Sequence, residues 1–289
     1  MTNPITVVTG ATSGIGRAAA IELARRGSDL GVVARDPLKA DATVAAIREA
    51  APDANVDVFL GDLAVLADVR KLAAEIGDRY ERIDVLVSNA GIHATTQRVT
   101  VDGLPEMVAV NYVAPFLLTN LLLDRLRASA PSRVVLTASE AHRLGRGLDP
   151  DRDLRDTRPF GLTGSFGAYG KSKLMDVLFA MELARRLGGS GVTVNCCCPG
   201  AVATNLLGDA RRLSWLKDAA SRTPLVRTAE VGARVVVELA TDPTYAEETG
   251  RFVTSTAVMK PLPTMSAVRD GALQRRLWDA TAALCGLAG

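Results

Sequence analysis

Tyr169 and Lys173 stand four residues apart in the run Tyr169-Gly170-Lys171-Ser172-Lys173. On a helix that spacing puts both side chains on one face, one turn apart. A free tyrosine has a pKa of about 10 and is a poor base near neutrality. A fixed ammonium beside it favours the tyrosinate, and lowering the midpoint by one pH takes about 1.4 kcal/mol. The pair therefore suits proton transfer, although Tyr-x-x-x-Lys pairs also arise by chance on many helices. Ser139 adds to the signal: its hydroxyl could polarise a carbonyl, or serve only as a turn or capping group. Asn111 sits in the apolar run Val108 to Leu123, an awkward place for a side chain that competes with backbone hydrogen bonding. It either faces solvent or holds a water that links Lys173 to bulk.

A second constellation lies near the amino terminus. The run Thr9-Gly10-Ala11-Thr12-Ser13-Gly14-Ile15-Gly16 joins a short β-branched segment to a helical one. Glycines at 10, 14 and 16 let the chain turn tightly and approach a pyrophosphate, and the helix amino terminus offers N–H groups to it. The spacing departs from G-x-G-x-x-G, so the match is one of context, and it points to dinucleotide binding through Gly10, Thr12, Ser13, Gly14, Ile15 and Gly16. Where an NAD site would place an acid after the second strand, this chain has Ala34 and Arg35, with Arg17 after the last glycine. Two guanidinium groups suit the extra phosphate of NADP(H). Asp36 is the competing feature, since it could turn toward a ribose. Asp62 and Leu63 follow the third strand, where Asp62 reads either as an adenine acceptor or as a capping acid. Asn89, Ala90 and Gly91 form a small-residue turn that lets backbone approach a cofactor.

The elements that must position these residues follow from the pattern. Strands are expected at Ile5–Thr9, Asp29–Ala34, Val56–Leu60, Val85–Ser88, Arg133–Thr137, Val192–Cys197 and Arg251–Thr254. Helices are expected over 15–26, 38–50, 66–80, 104–128, 168–187 and 229–241. Alternation of this kind implies a Rossmann-type, doubly wound parallel sheet covered on both faces, as one α/β domain over 1–289. Residues 1–100 would form mainly the cofactor half and 101–289 the catalytic half. Two stretches break the rhythm: 143–167 and 205–224. Both follow carboxyl ends of strands, where open α/β sheets place ligands, and connections that long are usually functional.

Composition excludes several classes. Formal charge is +2 with acids and bases interspersed, which argues against nucleic acid or a membrane surface as partner. The apolar fraction is 48% but aromatics are only 4%, which favours helices packed on a parallel sheet. Cys196, Cys197 and Cys198 are consecutive, so on a strand they point to alternate faces and imply no disulfide framework. Two histidines with no ligand-like spacing make a metal site improbable. Only four residues precede the first apolar run, and Val113 to Leu123 is too short to span a bilayer. The expectation is a soluble, cytoplasmic protein.

Together these motifs resemble the short-chain dehydrogenase/reductase family across nearly the whole chain. Thr9 to Gly16 is similar to its first-turn pattern, and Asn89-Ala90-Gly91 to its Asn-Ala-Gly element. Its catalytic Asn, Ser, Tyr and Lys fall on Asn111, Ser139, Tyr169 and Lys173. Pro199-Gly200 with Thr204 resembles the element that contacts the nicotinamide carboxamide. Ser139-Glu140-Ala141-His142, Tyr169 to Leu174, the insertion before Tyr169, and Arg276-Leu277-Trp278 with Gly286-Leu287 echo the retinol-dehydrogenase-like subgroup. Ala138, in place of a more usual serine, and the cysteine run are departures that leave the proton path untouched. The resemblance implies NADP(H)-dependent interconversion of an alcohol with a ketone or aldehyde, mainly as a carbonyl reductase on a lipophilic small molecule. Tyr169 would donate the proton, Ser139 would bind the same oxygen, Lys173 would bind the nicotinamide ribose, and Asn111 would anchor a relay water. A homodimer or homotetramer is implied through the helices around 111–128 and 168–187. Rival readings are a non-catalytic NADP-binding sensor or scaffold, and a carbon–carbon double-bond reductase. Residues 205–224, with Leu213, Trp215 and Leu216, are a candidate lid; His142 is a candidate pocket residue and His93 a loop residue.

Overall fold

The computed structural model describes residues 3–200, 227–256, 259, 262–263 and 265–287. Seven parallel strands, β1 (Ile5–Thr9), β2 (Asp29–Ala34), β3 (Val56–Leu60), β4 (Val85–Ser88), β5 (Ser132–Thr137), β6 (Val192–Cys198) and β7 (Arg251–Thr254), form one sheet in the order 3-2-1-4-5-6-7. The chain leaves β1 toward β2 and β3, then returns to the other side through β4. The crevice at the carboxyl ends of β1 and β4 is therefore the switch point where such sheets bind ligands. Register is continuous across it: Thr9 pairs with Val33 on one side and Ser88 on the other.

Strand residues alternate between two cores, as the period of two requires. Val7, Leu86, Val134, Leu136 and Cys196 face one core, and Val8, Val87, Val135 and Cys197 face the other. The neighbouring cysteines thus point apart, and all four cysteines are free thiols, each buried.

Three helices cover the second core: α1 (Gly14–Arg25), α2 (Pro37–Ala50) and α9 (Ala229–Thr241). Asp36 caps α2, its Oδ1 accepting from the N–H groups of Leu38 and Lys39 at 3.0 and 3.3 Å. Pro37 at the first helical position needs no partner for a missing N–H. The first core is covered by α3 (Leu66–Arg79), by the segment after β4, and by α8 (Leu162–Arg186) and α10 (Gly271–Leu284).

Three departures from the sequence expectation bear on the site. The single helix expected over 104–128 is instead α4 (Glu106–Val108), a π-helical turn (Ala109–Val113), α5 (Ala114–Leu121) and α6 (Leu123–Ala128). Pro115 has no N–H for the Asn111 carbonyl, so the regular four-residue bonding must give way there. The connection expected over 143–167 is shorter than that. It holds a 3₁₀ turn (Glu140–Leu144) and α7 (Pro150–Asp153), and α8 begins at Leu162 rather than Ala168. Glycines at 161, 164 and 167 hide that first turn and a half from a periodicity argument. Ser165 secures it, its hydroxyl donating to Leu162 O at 2.6 Å. Lastly, α10 is a helix that the strand–helix alternation did not announce. Asp270 caps it through the N–H groups of Ala272 and Leu273, and Gln274, Leu277, Trp278, Thr281 and Ala282 form its buried face.

Candidate active site

The glycine turn after β1 is held by side chains from β4 and β5. Asn89 and Ala90 donate their backbone N–H groups to Thr9 Oγ1 at 3.0 and 3.1 Å. Asn89 Nδ2 donates to the carbonyls of Thr9 and Gly10, and Thr137 Oγ1 donates to Asn89 Oδ1 at 3.3 Å. Gly10 adopts φ +66°, and a Cβ there would stand 2.8 Å from Ala90 Cα. A Cβ on Gly16 would stand 2.2 Å from Gly10 O. Only glycine fits either place, so the turn is drawn tight against the residues that follow β4, and the first N–H groups of α1 have no partner within the helix. This backbone cradle fits a pyrophosphate. Thr12 is half-buried and Ser13 exposed at its rim.

At the end of β2, Asp36 is committed to its cap, whereas the Arg35 side chain is 73% exposed and lies 3.4 Å from Asp62. Asp62 also accepts from Ala64 N–H at 2.9 Å, so it shapes the turn after β3 and is not the cap of α3, which Val65 precedes. Leu63 packs against the first core. Pro199 and Gly200 follow β6, where Gly200 N–H lies 3.4 Å from Cys198 Sγ. Thr204 and the candidate lid over 205–224 lie outside the described residues.

The residues expected to handle protons come together around Tyr169 and Lys173 of α8. Asn111 is almost fully buried, so its side chain does not face solvent. Its Oδ1 accepts from Ile92 N–H at 2.7 Å; its Nδ2 donates to Ile92 O at 3.0 Å and to Ser172 Oγ at 2.9 Å. It therefore clamps the loop after β4 to α8. Lys173, 3% exposed, donates to Thr137 O and to Asp176 Oδ2, both at 2.9 Å. A Cβ on Gly91 would lie 3.4 Å from both Lys173 Nζ and Asn111 Oδ1. The missing side chain at 91 is what lets those two groups share a wall.

Tyr169 is buried, with Lys173 one turn below and the Ser139 hydroxyl facing its phenol. Burial pushes the phenol above its ordinary pKa, and Lys173 and then Ser139 pull it back only in part. Ser139 is itself fixed as the cap of the 3₁₀ turn, accepting from Ala141 N–H at 3.1 Å. His142 bonds Ser139 O through Nδ1 at 2.8 Å and packs edge-on against Phe252. It supports Ser139 from behind and is 2% exposed.

His93 proves to be more than a loop residue. Its ring lies 4.9 Å from that of Tyr169 and 5.1 Å from that of Phe166, and its Nε2 is 3.1 Å from Ser165 Oγ. Burial holds it below the ordinary histidine range despite the Ser165 contact, so the imidazole is neutral at pH 7. Ala94, Met107 and Tyr169 form a small apolar cluster there, joined by Ile92, Ala141 and Phe160.

Sequence reasoning overlooked Thr137, whose carbonyl receives Lys173, and Asp176. The signal for Asp176 was present, as an acid inside the apolar run Leu174-Met175-Asp176-Val177-Leu178, three residues from the lysine. No group of histidine, cysteine and acidic residues among the described residues could hold a metal, and no described helix is long and apolar enough to cross a membrane.

Comparisons with known proteins identify the family. The short chain dehydrogenase family model matches residues 4–148. Human retinol dehydrogenase 13 is 38% identical over 97% of this chain and 84% of its own length. Among solved structures, an uncharacterized protein from Mycobacterium paratuberculosis superposes with a TM-score of 0.77, at 31% identity over 98% of this chain and 94% of its own. A short chain dehydrogenase from Burkholderia cenocepacia J2315 in complex with NADP gives 0.68, at 26% identity over 87% and 95%. The switch-point cradle, the Tyr169–Lys173 pair beside it and these likenesses together place the chain in the short-chain dehydrogenase/reductase family, as an oxidoreductase with retinol dehydrogenase relatives.

Proposed function

We propose that the protein is an NADP(H)-dependent carbonyl reductase that interconverts a ketone or aldehyde with its alcohol, acting on a lipophilic small molecule. The observation that carries the reading is the buried Tyr169 phenol, held between Lys173 and Ser139 at the same sheet edge as the glycine cradle. A bound nicotinamide would supply the hydride that reduces the carbonyl carbon. Tyr169 supplies the proton to the oxygen, so that one hydride and one proton complete the alcohol. Ser139, presenting its hydroxyl to the same oxygen, stabilises the charge developing there. Lys173 tunes the phenol and binds the nicotinamide ribose, and Asn111 fixes the loop after β4 against α8.

Three features support the finer assignments. Burial keeps Tyr169 a phenol at neutral pH, which suits donation to a carbonyl better than abstraction from an alcohol. Arg35 is extended at the end of β2 while Asp36 is occupied by α2, which favours a cofactor carrying an extra phosphate. Apolar Met107, Ile92 and Phe160 beside Tyr169 fit a lipophilic substrate, and the human relative's name specifies retinol, an apolar alcohol.

The test is NADPH oxidation by the purified protein against a panel of lipophilic aldehydes and ketones, with product identification. Tyr169→Phe should lower turnover by at least about 100-fold while NADPH still binds. Saturated-bond products from enones with the carbonyl intact, or a variant as active as the parent, would overturn the assignment.

A further inference from the structure

Asp176 is the feature of the site that proton donation by Tyr169 and ribose binding by Lys173 leave unused. It lies one turn beyond Lys173 on α8, with a side chain 2% exposed. One carboxylate oxygen accepts from Lys173 Nζ at 2.9 Å; the other, Oδ1, is buried without a hydrogen-bond partner. Such an orphan oxygen is costly, and the site retains it in a layer otherwise made of Leu174, Met175, Val177 and Leu178. The lysine is correspondingly tied down: Thr137 O and Asp176 take two of its three N–H donors.

We propose that Asp176 is a positioning residue that sets the charge of the pair: its carboxylate holds the Lys173 ammonium and offsets part of its pull on Tyr169, so that the phenol, which burial already favours, keeps the proton it gives to a carbonyl further into the alkaline range. The inference rests on the carbonyl-reductase reading and explains its direction. An unopposed ammonium below Tyr169 would favour the tyrosinate, the form that accepts a proton from an alcohol. With the carboxylate beside it, much of that field is cancelled inside a poorly screened interior.

The surroundings leave Lys173 as the one cation acting on Asp176 among the described residues. From β6, Cys196 faces this region, while Cys197 points to the other core and acts only on Lys173; burial keeps both thiols protonated, and from the π-helical turn the Tyr112 phenol is held protonated in the same way. Glu140, Arg143 and Cys198 lie on the Tyr169 side, where Glu140 is paired with Arg143 and burial raises the Cys198 thiol. Burial pushes the Asp176 carboxyl up to about 6, with Lys173 opposing that rise, so the carboxylate is charged at pH 7.

The decisive measurement is the ionisation of Tyr169 in the protein without cofactor or substrate, by ultraviolet difference titration with Tyr169→Phe as the blank. In Asp176→Asn, which keeps the shape and removes the charge, the Tyr169 midpoint should fall by about one pH unit. The alkaline loss of carbonyl reduction and the rise of alcohol oxidation should move toward acid by the same amount. Asp176→Ser carries the same expectation and serves if the asparagine variant does not fold. In the unsubstituted protein, the carbon resonance of the Tyr169 ring, assigned through Tyr169→Phe, should show an inflection near pH 6 as Asp176 titrates. A midpoint that stays or rises in the folded variants, or no inflection near that pH, would overturn the proposal. Since these titrations need neither cofactor nor carbonyl, a barren substrate panel with a lowered midpoint condemns the reductase reading alone. A working reductase with an unmoved midpoint condemns the role of Asp176 alone.

Discussion

The two faces of the sheet are filled with different material, and each half of the site reflects the face it stands on. On the face covered by α1 and α9 the packing is small: Ala19, Ala20 and Ala24 of α1 and Ala233 and Ala240 of α9 join Val8, Val32, Val87 and Val135 in one core. On the face covered by α5, α8 and α10 it is aromatic, with the Phe116 ring centroid 5.2 Å from that of Phe179 and 4.9 Å from that of Trp278, and Tyr112 6.2 Å from Phe179. Small residues let α1 start hard against the turn, so the anion cradle is made of backbone. The aromatic layer instead fixes α8, whose buried Lys173 and Asp176 need a rigid setting because a displaced buried charge is expensive. One half of the site therefore works through close approach, and the other through enclosure.

The largest test of this contrast is Phe116→Ala. Phe116 is fully buried at the junction of α5, α8 and α10, and its removal should cost about 3–5 kcal/mol in urea unfolding. A loss well below about 2 kcal/mol would mean that the aromatic layer does not hold α8. On the opposite face the informative change runs the other way. Ala20→Leu, at a fully buried position of α1, should cost about 1–3 kcal/mol by overpacking and weaken NADPH binding as α1 is pushed from the sheet. Unchanged stability and affinity would mean that the small-residue face has room to spare.

The same contrast explains what could be read in advance. The cradle face was legible because its signals are local: Asp29–Ala34, Val56–Leu60 and Val85–Ser88 are strands with the expected bounds, and the glycines of the turn lie within seven residues of each other. The aromatic face hid more. The π-helical turn at Ala109–Val113 depends on one missing N–H at Pro115, which a hydrophobic period does not register. The first turn and a half of α8 are rich in glycine and persist through Ser165 and His93, a contact across 72 residues. Asn111, Ser139, Tyr169 and Lys173 could be picked out by type, and the structure gathers them. That Lys173 spends its donors on Thr137 O and Asp176 is a tertiary fact with no spacing of its own beyond a lysine and an acid three apart.

The smallest expected effect separates the cradle from its rim. Arg35 extends from the end of β2, and its ion pair with Asp62, at 3.4 Å and largely exposed, is worth only about 0–1 kcal/mol. The guanidinium is therefore free to exchange that carboxylate for a phosphate, which it can hold with two parallel N–H bonds. Arg35→Ser should leave the unfolding midpoint nearly unchanged, raise the Kd for NADPH about tenfold, as expected for loss of a charged hydrogen bond of roughly 1.5 kcal/mol, and leave that for NADH alone. The asymmetry is the point of the measurement, because the backbone cradle serves both cofactors while a side chain at the rim can distinguish them. Equal weakening of both would place Arg35 in the common cradle, and no change in either would return the choice of cofactor to Arg17 or to the turn after β3.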